Sequence, residues 1–160
     1  MKTLCILRHA KTEIQQQAQM DFDRQLLKRG INDITEIAQR FLQKKIQLSK
    51  ILSSPAQRAI TTARIFAKEI SYPETNIEQN SFIYNASLST LLKLIQAVDD
   101  KEKSLCLIGH NPGMTLLANY LSLPPVLHIP TSGLMCIEFD VKSWSEIGAL
   151  DGKQKFLLFP

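Results

Sequence analysis

The chain has 160 residues, 44% of them hydrophobic and 21% charged. This balance excludes disordered, collagen-like and coiled-coil chains, and the length fits a single domain over residues 1–160 with one hydrophobic core. No segment approaches the run of about 20 apolar residues that a membrane span needs, and one Lys before a very short apolar run does not make a secretory signal, so a cytoplasmic protein with no membrane partner is expected.

The formal net charge of +4 is unevenly spread: residues 1–80 carry thirteen Lys and Arg against eight Asp and Glu, residues 81–160 six against seven. An anionic ligand near the first half fits that bias. Nucleic acid is not expected as a partner, because the basic residues are scattered over helix-like segments with no aromatic stacking pattern among them. Cys5, Cys106 and Cys136 lie far apart in apolar segments, with no CxxC pair and no His at zinc-finger spacing; they read as reduced core thiols.

In chain order, the apolar run Thr3–Leu7 stops abruptly at Arg8 and His9, which predicts a buried strand that delivers polar residues at its end. A polar, Gln-rich loop over 10–27 follows. Ile34, Ile37, Ala38, Phe41 and Leu42 recur at helical spacing and predict a helix over 29–45. A strand over 50–53 leads to Ser54 and Pro55, read as an N-cap and a first-position proline, and to a helix with Ala59, Ile60, Ala63, Phe66 and Ala67 on one face, ending before Pro73. A strand is expected over 77–84, then a Leu-rich helix capped by Ser87, then a second buried strand over 104–108. Asn111 and Pro112 repeat the cap-and-proline device and open a helix to about Leu121; strands over 133–141 and 154–159 complete the chain. Strands alternating with helices imply an α/β fold, a three-layer sandwich whose mainly parallel sheet is covered by helices on both faces, with the last two strands antiparallel.

In such folds ligands bind in the crevice beyond the carboxyl ends of the strands, so His9 and His110, each at a strand exit, can converge. The helix start at Ser54 and Pro55 opens onto the same rim, and Arg58 in its first turn can lean back over it. Arg8, Arg58 and two imidazoles suit a compact dianion, for which phosphate is the natural candidate because guanidinium forks match its oxygens.

Three segments carry a resemblance: Arg8-His9-Ala10-Lys11-Thr12-Glu13, Ser53-Ser54-Pro55-Ala56-Gln57-Arg58-Ala59-Ile60-Thr61-Thr62-Ala63 and Gly109-His110-Asn111-Pro112. In this order they resemble the motifs of the histidine phosphatase (phosphoglycerate mutase-like) superfamily. With the length of the chain and the phrase Asp23–Gly30, the chain is most similar to the small SixA-type phosphohistidine phosphatases. The resemblance implies a phosphoglycerate mutase-like fold in which His9 is the nucleophile and forms a covalent phosphohistidine that water hydrolyses, while Arg8, Arg58 and His110, with Asn111 beside them, hold the phosphoryl oxygens. No metal and no cofactor is then expected. Many members carry a general-acid glutamate just after the third strand, but Phe82–Ser87 has no carboxylate; Asp21, Asp23 and Glu13 are the remaining candidates. Leu27 stands where relatives commonly have a helix-capping threonine.

Outside these motifs the residues read blandly. His128 is a loop residue, Trp144 and Phe156 are packing residues, the Lys28-Arg29 and Lys44-Lys45 pairs are solvated helix faces, and Thr131-Ser132-Gly133 is a turn whose polar groups could reach the rim of the pocket. The reading is a monomeric, metal-independent phosphatase acting on phosphohistidine in a protein, a histidine-phosphotransfer protein being one candidate partner. The alternatives are a phosphomonoesterase for a small metabolite and a phospho-ligand binding module of low turnover.

Overall fold

The computed structural model describes residues 1–160. Seven strands and four α-helices form it: β1 (Lys2–Arg8), α1 (Lys28–Leu42), β2 (Lys50–Ser53), α2 (Gln57–Glu69), β3 (Ile77–Gln79), α3 (Leu88–Gln96), β4 (Ser104–Gly109), α4 (Gly113–Leu121), β5 (Ser122–Leu123), β6 (Leu134–Phe139) and β7 (Gly152–Leu158). One sheet runs in the order β3-β2-β4-β1-β6-β7-β5. β3, β2, β4 and β1 are mutually parallel, β6 pairs antiparallel with both β1 and β7, and β5 runs parallel to β7. The α/β class, the mainly parallel sheet and the antiparallel final pair are thus as the sequence pattern indicated.

The central strands explain the layering. Side chains alternate across a strand, so Leu4 and Ile6 of β1 with Leu105 and Leu107 of β4 face one core, which α3 and α4 cover, while Cys5 and Leu7 with Cys106 and Ile108 face the other, covered by α1 and α2. Every residue of β4 is buried. Each fully buried Leu or Ile contributes about 1.5–3 kcal/mol, which makes these inner strands the stable frame on which the loops at their ends are mounted. The three cysteines are free and buried, Cys5 lying in register between Cys106 and Cys136. Trp144 is fully buried and donates from Nε1 to the Glu102 carbonyl at 2.8 Å.

Several boundaries differ from the sequence reading, each for a local reason. α2 begins at Gln57 with Ala56 as N-cap: Pro55 precedes the helix, and the Ser54 hydroxyl satisfies the Ala56 N–H at 3.2 Å instead of capping the helix proper. α4 likewise begins at Gly113 with Pro112 as N-cap; the Asn111–Pro112 peptide is cis, and Asn111 Oδ1 accepts from the Thr115 N–H and hydroxyl at 3.2 and 3.0 Å. The strand expected over 77–84 ends at Gln79, where Asn80 caps a single 3-10 turn, Ser81–Ile83. α1 starts at Lys28 on Leu27, which supplies no side-chain cap. Gly30 lets its first turn lie against the loop after β1, since a Cβ there would stand 2.3 Å from the Lys11 carbonyl oxygen. No helix is long and apolar enough to cross a membrane.

Candidate active site

Parallel neighbours end at the same edge of a sheet, so the exits of β1, β4 and β2 bring His9, His110 and Ser54 together. The His9 N–H donates to the Gly109 carbonyl at 3.1 Å and the Ser54 N–H to the Ile108 carbonyl at 3.0 Å, extending the ladders past the last strand residues. The two imidazoles stand 5.3 Å apart between ring centroids and tilted by 49°. Both are buried, His9 being 7% and His110 5% exposed.

His9 Nδ1 lies 2.8 Å from the Ala10 carbonyl oxygen. A carbonyl can only accept, so Nδ1 carries the proton and the lone pair is left on Nε2. The Ala10 N–H is held in turn by the Thr62 hydroxyl at 2.9 Å, and that hydroxyl donates to the Arg58 carbonyl at 2.6 Å. One chain of bonds therefore ties the nucleophile candidate to α2. Burial above all, then His110 and the guanidiniums of Arg58 and Arg8, lowers His9 from 6.5 to about 3 against the opposing pull of the Ala10 carbonyl. His110 is lowered to about 4, again by burial first and then by Arg58. Both imidazoles are neutral at pH 7. His110 Nε2 meets the Ser54 hydroxyl at 2.8 Å. That hydroxyl accepts the Ala56 N–H and can either donate to His110 Nε2 or accept from it; when it donates, the imidazole proton sits on Nδ1.

Arg8 donates from Nη1 to the Ile129 carbonyl at 3.0 Å, and Asn111 Nδ2 donates to the same carbonyl at 2.9 Å. Arg58, 3% exposed, is clamped by Asp21: Nη1 donates to the Asp21 carbonyl at 2.8 Å and Nη2 to its carboxylate at 3.0 Å. Three buried polar atoms of this group have no partner: Arg8 Nε, Arg58 Nε and His110 Nδ1. Unpartnered buried polar atoms are uncommon, and these three, on side chains whose charges and rings act on His9, are candidates to donate to a tetrahedral oxyanion.

Of the three carboxylate candidates, only Asp21 reaches this group. Its Oδ2 accepts from the Tyr84 hydroxyl at 2.7 Å and its Oδ1 from Arg24 Nε at 3.0 Å. The Tyr84 bond first, then Arg58, holds its carboxyl below the usual range, and the same bond raises Tyr84. Asp21 is therefore ionised at neutral pH and Tyr84 is protonated. Glu13 instead accepts from Gln19 Nε2 at 2.8 Å and the Gln25 N–H at 3.2 Å, organising the loop, while the Asp23 carboxylate makes no bond to the group. Tyr84, which also sets its ring edge-on to His110 at 5.5 Å, carries no signal of a site residue in the sequence, because it joins the group only through its long-range bond to Asp21. Thr62 was legible in principle: it sits one helical turn after Arg58. No three His, Cys, Asp or Glu side chains are grouped so as to hold a metal ion.

Residues 4–80 match the model of the histidine phosphatase superfamily (branch 1). The structure superimposes on a candidate phosphohistidine phosphatase SixA of Agrobacterium tumefaciens with a TM-score of 0.83 at 26% identity, covering 99% of each chain. It superimposes on a protein histidine phosphatase SixA in complex with tungstate with a TM-score of 0.82 at 19% identity, covering 98% of this chain and 96% of that one. A mycobacterial glucosyl-3-phosphoglycerate phosphatase bound to VO3 gives a TM-score of 0.69 at 14% identity over 100% of both chains. No curated protein matches the sequence. The first half of the chain thus matches the histidine phosphatase superfamily, and the whole chain has the α/β sandwich of the SixA-type phosphatases, as the motifs implied.

Proposed function

We propose that the chain removes phosphate from phosphohistidine in a protein, by way of a covalent phosphohistidine on His9. The observation that carries this reading is the His9 tautomer: Nδ1 is committed to the Ala10 carbonyl, Nε2 keeps its lone pair, and the low pKa keeps it unprotonated. In the first step the Nε2 lone pair attacks phosphorus, and the phosphorus–nitrogen bond to the substrate imidazole breaks with its electron pair going to that nitrogen. Arg8 Nε, Arg58 Nε and His110 Nδ1 donate to the three oxygens over which charge spreads. In the second step water attacks the phosphoryl group on His9, releasing inorganic phosphate and restoring the lone pair.

The substrate class follows from the groups that can move a proton. An alkoxide leaving group needs an acid, a role typically worth about 10²–10⁴ in rate, whereas an imidazole protonated on its other nitrogen departs neutral. Asp21 is ionised and the Tyr84 hydroxyl is a weaker acid than ordinary tyrosine. The likeness to a protein histidine phosphatase SixA supports this choice. A phosphomonoesterase for a small metabolite is the second reading, favoured by the fold shared with the mycobacterial sugar-phosphate enzyme. Turnover of a phosphohistidine protein, a phosphoserine peptide and small alkyl phosphates decides between them: the first should have the highest kcat/KM, and a higher value for an alkyl phosphate would overturn the proposal.

A further inference from the structure

Ser132 lies in the turn before β6, outside the three motifs, and three observations single it out. Its side chain is fully buried, yet its hydroxyl has no hydrogen-bond partner. Its φ is +60°, a left-handed conformation that a residue with a Cβ adopts at a cost. Its N–H donates to the His9 carbonyl at 3.1 Å, so it touches the backbone of the nucleophile candidate directly.

The turn around it is fastened to the site from several sides. The Ile129 carbonyl accepts from Arg8 Nη1 and Asn111 Nδ2 at 3.0 and 2.9 Å. The Gly133 N–H donates to the Pro130 carbonyl at 2.9 Å, and the Gly133 carbonyl accepts from the Arg8 N–H at 3.0 Å. The hydroxyl satisfies no partner within the fold, so removing it would leave no other group unsatisfied. Three of the four other unpartnered buried polar atoms belong to Arg8, Arg58 and His110.

We infer that the Ser132 hydroxyl is a further donor to the phosphoryl group, completing the set formed by Arg8, Arg58 and His110, while the Ser132 N–H fixes the end of β1 that presents His9. This rests on the phosphatase reading of the site but not on the choice of substrate. A hydroxyl rotates about its C–O bond, so it can follow oxygens that move as phosphorus passes from substrate to His9 and on to water.

The test uses Ser132→Ala and Ser132→Gly, measuring tungstate affinity by calorimetry, kcat and KM on a phosphohistidine protein, and the thermal midpoint. A hydrogen bond to a charged group corresponds to a loss of about 10–100-fold, so both variants should bind tungstate about tenfold or more weakly and lose kcat/KM by a similar factor. Neither should have a lowered midpoint. Ser132→Gly relieves the backbone while lacking the hydroxyl; if it bound tungstate like wild type, or if activity and midpoint fell together in both variants, the inference would be overturned. Should the wild type prove inactive on phosphohistidine protein, the substrate reading fails while tungstate affinity still decides the role of Ser132.

Discussion

Asp21 occupies both terminal nitrogens of Arg58, one through its main-chain carbonyl at 2.8 Å and one through its carboxylate at 3.0 Å. A negative charge is thus built in beside the cradle proposed for the phosphoryl group, and the same carboxylate takes the Tyr84 hydroxyl at 2.7 Å. It holds both terminal nitrogens of Arg58, so that Nε is the nitrogen left for the proposed dianion, which the carboxylate would repel.

Replacing that charge separates the two effects. Asp21→Asn keeps a side-chain oxygen for Arg58 but removes the repulsion, so tungstate should bind several-fold more tightly, as a pair of partly solvated charges a few ångströms apart allows. Hydrolysis of alkyl phosphates should fall more than that of phosphohistidine if Asp21 passes a proton from Tyr84. Calorimetry with tungstate and parallel turnover assays measure both; weaker tungstate binding would contradict the first expectation.

Arg58 itself should be hard to replace. Losing one donor from an oxyanion cradle typically costs about 10²–10³ in rate, and Arg58→Ala should lose that much in kcat/KM. Arg58→Lys should recover little of it, because an ammonium can neither span the two Asp21 oxygens nor present a second edge to phosphate. Steady-state kinetics on one substrate suffice, and near-wild-type activity of Arg58→Lys would contradict the fork geometry.

The fold was legible because its signals are periodic: the apolar runs of β1 and β4 and the 3.6-residue stripes of α1, α2 and α3 depend only on burial. That His9, His110, Arg8 and Arg58 come together was legible because they stand at strand exits and in a first helical turn. What the chain order hides is contact between distant segments. Asp21 meets Tyr84 across 63 positions, and neither residue type alone signals a shared bond. The helix starts were misplaced by the same kind of competition: Ser54 and Asn111 look like caps, but Ser54 bonds Ala56 and turns to His110, and Asn111 is drawn to Ile129 and Thr115. The two-residue strand β5 is too short to leave any periodic signal.

Two neutral imidazoles predict a distinctive pH response. With His9 lowered to about 3 and His110 to about 4, the free enzyme should keep its nucleophile unprotonated far below 6.5, so the acid limb of kcat/KM, corrected for substrate phosphate ionisation, should fall below pH 5. Stability has a definite sign. The unfolded chain takes up protons near 6.5 while the folded chain resists to about 4 and 3, so the contribution is fully present above 6.5 and is lost as pH falls through that window, by at most about 1.4 kcal/mol per pH unit for each imidazole. Thermal midpoints should be flat from pH 7 to 8 and decline toward pH 4, and His9→Asn should flatten the decline. An acid limb centred near 6.5, or an unchanged decline in His9→Asn, would contradict this.

The covalent intermediate is the central claim, and rapid acid quench with substrate labelled on phosphorus tests it most directly, with alkaline and acidic washes to classify the bond. The account predicts base-stable, acid-labile label on His9 that builds up within the first turnover and is missing, together with activity, in His9→Ala. Label on a serine, such as Ser54, whose hydroxyl lies 2.8 Å from His110, or undiminished turnover by His9→Ala, would contradict it.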